Sequence, residues 1–127
     1  MSEIDCCEKF LFDGIKKFSS NVYNEIAPRE CENPYVTFEI VDSKDLTALG
    51  GVRIWSEFIY RIGVHSKVSF EDISSLFESI SNFFHLKSDT DSENVISCVR
   101  IDTGSSVAVD SGVRMCSRFA DFRIRIS

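Results

Sequence analysis

The sequence has none of the short signatures that mark a common chemistry. It contains no GxxxxGK(S/T) or GxGxxG loop to cradle phosphates, no HExxH metal pair and no GxSxG elbow around a nucleophilic serine. Histidine is scarce, with only His65 and His85. The five cysteines, Cys6, Cys7, Cys31, Cys98 and Cys116, show neither C-x-x-C spacing nor a nearby histidine pair, which argues against a zinc site. Neighbours on a helix diverge by about 100°, so Cys6 and Cys7 do not serve one site easily. They read as free thiols of a reducing cytoplasm. The N-terminus MSEIDCCEKF carries acids where a signal peptide needs a basic stretch, and no run approaches the ~20 apolar residues of a membrane span. A soluble protein made in a cytoplasm, without a membrane partner, is expected. A basic balance is also missing: 14 Lys+Arg against 20 Asp+Glu give a net charge of −6, so the mean field does not draw the molecule to a phosphate backbone. No catalytic residue, metal or cofactor is expected, and the chain reads as a non-enzyme.

What is present describes a folded protein. At 127 residues, 43% of them hydrophobic and 11 of them Phe, the chain holds enough apolar surface for one core, and residues 1–127 read as a single domain. Large aromatics dominate interfaces as well as cores, so some Phe belong on a subunit contact. Charge is unevenly placed. Residues 1–50 hold ten Asp/Glu against five Lys/Arg, whereas residues 95–127 hold five Arg, no Lys and three Asp. That asymmetry suits charge-matched subunit packing better than a nucleic-acid patch.

Apolar spacing predicts a first helix from Ser2, its N-cap, to Phe18, with Ile4, Cys7, Leu11, Ile15 and Phe18 on one stripe. Phe10 and Phe12 fall off that stripe, which gives the helix a second apolar edge. Residues 19–34 read as loop with one short strand at Val22–Tyr23, broken by Pro28 and closed by the turn pair Asn33-Pro34. Tyr35–Val41 alternates as a half-buried strand. A polar turn over Asp42–Asp45 and the Gly50-Gly51 pair precede a long alternating strand, Val52–His65. Its length of roughly 45 Å suggests pairing outside the monomer. Ser69 with Asp72 marks an N-cap, and Ile73, Leu76, Phe77, Ile80, Phe83 and Phe84 form the stripe of a second helix ending near His85-Leu86. Lys87–Asn94 reads as an exposed loop. Strands at Val95–Asp102 and Val113–Ile126 flank a long hairpin loop, Thr103–Gly112, and a parity change suggests a bulge near Ser117–Ala120. This order predicts an α+β fold: one mixed or antiparallel sheet, with the N-terminal helix and the central amphipathic helix packed on it.

Few residues suggest chemistry. Glu57 and Arg61 share a strand face about 13 Å apart, too far to pair with each other and free to pair across strands. A Cys/His nucleophile pair such as Cys98 with His65 is open to the sequence, although nothing local marks an activated thiol. Trp55, Tyr60, Glu57 and His65 would have to converge in a pocket for a cytosolic ligand-binding domain, and a protein-interaction module is a further alternative. Arg100, Arg114, Arg118, Arg123 and Arg125 read as an exposed sheet face, a subunit contact or a channel wall.

The segments NPYVTFEIV (33–41), RIWSEFIYRIGVHS (53–66), FEDISSLFESISNFF (70–84) and GVRMCSRFADFRIRI (112–126), in that order, resemble the tail-terminator or tail-completion (neck) family of long-tailed bacteriophages. The likeness spans about residues 20–127. It implies a small α+β subunit that forms a ring with itself, a hexamer in that family, on the end of the tail tube. Such a ring stops tube polymerisation and joins the tail to the head-side connector or stopper. The partners implied are other copies of the chain, the tail tube protein and that connector, with DNA only passing non-specifically through the lumen of the virion's neck. A closed ring needs heterologous interfaces. The long strand and the Thr103–Gly112 hairpin are the places implied for contacts, with Arg53, Trp55, Arg61, Arg114 and Arg118 as interface candidates beside Phe10 and Phe12. The cysteines and the Phe-rich first helix depart from the family pattern.

Overall fold

The computed structural model describes residues 3–28, 32–47, 53–90, 95–110 and 112–126. Ser2, Cys31 and the Gly50-Gly51 pair lie outside the described residues. Among the described residues six strands and two helices follow one another as α1 (Glu3–Lys16), β1 (Val22–Asn24), β2 (Tyr35–Thr47), β3 (Arg53–Ser66), α2 (Glu71–Phe84), β4 (Lys87–Thr90), β5 (Val95–Asp110) and β6 (Val113–Ile126). The strands form one mixed sheet in the order β1-β2-β3-β6-β5-β4. Only β1 and β2 run parallel; the other neighbours are antiparallel. The expected α+β class with helices packed on one sheet is what the chain adopts.

Alternation explains the layering. On β3 the even residues from Ser56 to Val64 point to the helices, and on β6 Cys116, Ala120, Phe122, Ile124 and Ile126 do the same and are buried. Cys7, Leu11 and Ile15 of α1 and Ile73, Ile80 and Phe84 of α2 complete the core. Each fully buried aliphatic or aromatic side chain contributes roughly 1.5–3 kcal/mol relative to exposure. The outer members of the α1 stripe, Ile4 and Phe18, are 43% and 38% exposed, because the helix turns their positions to the rim. Rings knit the helices to the sheet: Phe10 meets Phe84 edge-on at 5.5 Å, and Phe84 meets Phe122 at 5.9 Å. The hydroxyl of Ser69 accepts the Asp72 N–H at 3.3 Å, but the N-cap position of α2 is taken by the next residue, Phe70, whose side chain makes no capping bond.

Four expectations are corrected. Asp42–Asp45 is not a turn, because β2 runs on to Thr47: a bulge at Val41 resets its register and Lys44 then pairs with Glu57. Thr103–Gly112 is not a loop either. β5 stays paired with β6 as far as Asp110↔Val113, and Gly112, just before Val113, stands at φ 80°, a left-handed conformation that glycine adopts without a Cβ penalty. Lys87–Thr90, the first part of the expected loop, is the short edge strand β4. The bulge in the C-terminal hairpin lies on β5, between Arg100 and Asp102, and β6 keeps one parity throughout. In each case cross-strand pairing overrides a local polar or Gly/Ser signal. The long third strand is likewise paired on both sides from Ser56 to His65 within the chain.

Gly14 is where α1 presses on α2: a Cβ there would come within 2.5 Å of the Phe84 ring. Gly14→Ala is expected to lower stability by about 1–3 kcal/mol through overpacking, read as a lower urea midpoint at unchanged m-value. An unchanged midpoint would show that the two helices separate without cost.

Candidate interaction surface

The face of the sheet turned away from the helices carries the odd residues of β3 and their partners on β2, β5 and β6, and no other described element covers it. Three groups of side chains organise it. At the end nearest Trp55, Glu57 is 5% exposed and is gripped from both neighbouring strands. Lys44 Nζ lies 3.1 Å from Oε2, Arg125 Nε donates to Oε1 at 3.0 Å, and Arg123 Nε stands 3.9 Å away. Burial alone would push the Glu57 carboxyl upward, yet hydrogen bonds from Arg125 and Lys44 outweigh it and hold the group below its ordinary range. Arg125 also lies over the Trp55 ring at 5.6 Å. Trp55 Nε1 is buried without a hydrogen-bond partner among the described residues. Beside it, Trp55, Val95, Ser97, Arg125 and Ile126 line a shallow cleft of about 210 Å³.

In the middle of the face Arg61 makes a two-pronged bond to Asp121, Nε to Oδ1 at 2.8 Å and Nη2 to Oδ2 at 3.2 Å. Its guanidinium lies 4.4 Å from the centre of the Phe119 ring. That ring in turn rests on Gly104, where a Cβ would come within 2.4 Å of it. The Asp121 bond holds the Arg61 proton more firmly than usual, and the charges of Asp121, Glu39 and Asp102 add to it. Three carboxylates therefore face one guanidinium here, whereas three cations surround one carboxylate at the Trp55 end. The face is polarised, basic at one end and acidic at its centre.

At the far end His65 is fixed by hydroxyls on both sides, with Nε2 2.8 Å from Thr37 Oγ1 and Nδ1 2.7 Å from Ser117 Oγ. Tyr35 stacks on it at 4.9 Å and points its hydroxyl at Met115 Sδ, 3.8 Å away. Burial pushes the His65 pKa down, which keeps the ring neutral.

This arrangement settles two readings of the sequence. Tyr60 is 1% exposed on the helix side, so it does not converge with Trp55, Glu57 and His65; the last of these is eight residues along the strand from Glu57, about 26 Å. Cys98 is buried on the helix side and burial raises its pKa to about 12, the opposite of an activated thiol, while His65 is on the other face. The two form no dyad. Cys7 is raised to about 12 by burial as well.

The interface candidates divide between surfaces. Trp55 and Arg61 lie on the uncovered face. Arg53 starts β3, paired through its backbone with Thr47, and its side chain lies outside what is described. Arg114 and Arg118 lie on the opposite, helix-facing side of β6, Arg114 near the hairpin tip and Arg118 at the margin of the core, between buried Cys116 and Ala120 and with its Nε buried. There Arg118 Nη1 donates to Ser105 Oγ at 3.3 Å and its guanidinium sits 5.3 Å from the Phe70 ring centre, while Arg114 is exposed near the hairpin tip. Phe10 is half-buried in the core, whereas Phe12 is 38% exposed with the Lys16 ammonium 5.3 Å from its ring. Sequence reasoning missed Asp121, Phe119 and Lys44, whose roles depend on register across strands; the one available signal was their alternation with core positions.

No protein-family model matches this chain, and no curated protein matches its sequence. Its fold does have a close counterpart. The chain superposes on a chain of the virion of a native gene transfer agent particle with a TM-score of 0.72, over 91% of this chain and 90% of that one. Identity is 14%, so what the two share is the fold.

Two pH effects follow from the surface. Glu57→Gln should lower stability at neutral pH, and the deficit should shrink as pH falls through the depressed folded pKa of Glu57, because the wild-type carboxylate contributes only while ionised. Urea titrations of both proteins from about pH 7 to about pH 3 measure this; a deficit independent of pH would contradict the ion-pair account. His65 acts in the same pH direction at higher pH. Below its ordinary value of 6.5 the unfolded chain takes up a proton that the folded chain resists, so stability declines from there downward, and His65→Gln should flatten that part of the profile.

Proposed function

We propose that this chain is a structural, non-enzymatic protein of a phage-type virion and that it acts as a tail terminator. In this reading copies of the chain close into a ring, a hexamer, on the end of the tail tube. The ring ends tube polymerisation and joins the tail to the head-side connector or stopper, while DNA passes through its lumen without specific contacts. The observation that carries the proposal is the fold, shared along nine-tenths of both chains with a chain of a gene transfer agent virion. The four segments that resemble the tail-terminator family add the specific position, at the neck. Two further features support assembly. The uncovered face presents Trp55 and Arg61, residue types that concentrate binding energy in interfaces. Arg114 and Arg118 lie on the other side of the same sheet, so each subunit offers two different surfaces, as a heterologous ring contact requires.

Native mass spectrometry across concentration, with negative-stain images and an assay for capping purified tail tubes, tests this. A ring, or a cap that stops tube growth, is the expected result. A chain that remains monomeric and also fails to cap tubes would overturn the reading. If charge-matched Arg contacts hold the ring, its assembly weakens between low salt and about 0.5 M salt, since exposed pairs are screened within about 10 Å already at ~0.1 M. Assembly insensitive to salt would assign the contact to the exposed aromatic residues instead.

A further inference from the structure

On the helix side, away from the uncovered face, an open cleft of about 440 Å³ lies between the C-terminal half of α2 and β5, lined by Phe77, Glu78, Ser81, Asn82, Arg100 and Thr103. The β5 bulge builds it. Arg100 pairs with Phe122 and Asp102 with Asp121, which leaves Ile101 as the extra residue, 46% exposed. The reset puts both Arg100 and Thr103 on the helix side, and bulges commonly re-aim a side chain in this way. The Arg100 guanidinium is then held in place by α2. Its Nη1 donates to Ser81 Oγ at 2.8 Å and to Asn82 Oδ1 at 3.3 Å, and Ser81 is itself only 3% exposed. The Arg100 backbone N–H is fixed as well, donating to His85 Nδ1 at 3.3 Å.

All the side-chain hydrogen bonds that Arg100 makes among the described residues use Nη1. The Nε–Nη2 edge, the edge that grips carboxylates in a fork, is left open to the cleft, and no carboxylate forms an ion pair with it among the described residues. Glu78 lines the cleft but stays out of ion-pair range. Arg61, Arg123 and Arg125 each have a carboxylate within 4 Å. Arg100 is thus pre-organised and uncompensated.

We propose that Arg100 is a docking point for a carboxylate presented by a second copy of this chain. The occupant follows from the charge distribution: the chain is acidic overall, and ten of its 20 Asp and Glu lie in the first 50 residues, whereas Arg100 opens the basic C-terminal segment. An acidic side chain of one copy seated on Arg100 of the next is a heterologous contact, and in this respect the proposal rests on the ring reading above.

Sodium acetate is the probe for the site. In arginine side-chain ¹H–¹⁵N NMR spectra of the full chain, acetate should shift the Arg100 Nε–H signal saturably and several-fold more than that of exposed Arg114. R100K and N82A should abolish and weaken the corresponding binding, because one loses the fork and the other its brace. A uniform shift of all arginine signals, or a stronger response to inorganic phosphate than to acetate, would overturn a carboxylate site. Self-association, measured by sedimentation, tests the occupant: R100Q should raise its dissociation constant about tenfold or more, and K67Q, an exposed control, should leave it unchanged. Rings that form equally well with R100Q would overturn the second copy as occupant while leaving the terminator reading intact. Acetate binding in a chain that neither self-associates nor caps tubes would overturn both the occupant and that reading.

Discussion

The pairing of β3 with β6 is the constraint on which the rest of this structure depends. Eleven successive residue pairs, from Ser56↔Ile126 to Ser66↔Cys116, run without a register shift, while the irregularities lie elsewhere, at Val41 on β2, at Ile54 near the start of β3 and at Ile101 on β5. One register therefore sets both faces at once. On the helix side it lines up Phe58, Tyr60 and Ile62 with Ile124, Phe122 and Ala120 to make the floor of the core. On the other side it brings Glu57 against Arg125 and Arg61 against Asp121. A slip of one residue would send the apolar set to solvent and set Glu57 against Ile124 or Ile126 and Arg61 against Ala120 or Phe122, parting both ion pairs, so core and ion pairs specify the same alignment.

Much of this was legible in the sequence, and the limits have a physical source. Period two in Val36-Phe38-Ile40, in Phe58 to Val64 and in Phe122-Ile124-Ile126 marks strands because alternate side chains must share the buried face; the stripe from Ile73 to Phe84 marks a helix for the analogous reason. The same rule failed where the sheet leaves the core. Asp42 to Lys44 and Thr103 to Asp110 have little to bury, so their sequence shows turn-like polarity although strand pairing holds them extended. The uncovered face was legible only in part. Glu57 and Arg61 could be seen to need partners on other strands, but Lys44, Arg125 and Asp121 become those partners only through register, which one strand's sequence does not contain.

The distribution of the C-terminal arginines shows how position changes the meaning of charge. By sequence they form one basic block. In the fold Arg123 and Arg125 turn to the uncovered face and share the Glu57 carboxylate with Lys44, whereas Arg100 and Arg118 turn to the helix side and are braced by hydroxyl groups. No single basic stripe of the kind that tracks a phosphate backbone results. Under the ring proposal a lumen that lets DNA pass needs no such stripe, and a mosaic of opposite charges would fix subunit register better than a uniform field does.

The sheet's two edges differ in a way that bears on the same point. β1 covers β2 only at Val36–Phe38, and the uncovered stretch beyond carries a bulge at Val41 followed by Asp42 and Lys44, features that discourage pairing with foreign strands. β4 covers β5 only at Val95–Cys98. From Thr103 to Val109 the β5 edge has no charged residue, no proline and no bulge, and Val107 and Val109 are 49% and 70% exposed. Among the described residues nothing pairs with this stretch, and in a free-standing monomer such an edge with exposed valines favours aggregation. Among the described residues one edge is guarded and the other is not, a difference that suits the ring contact proposed above.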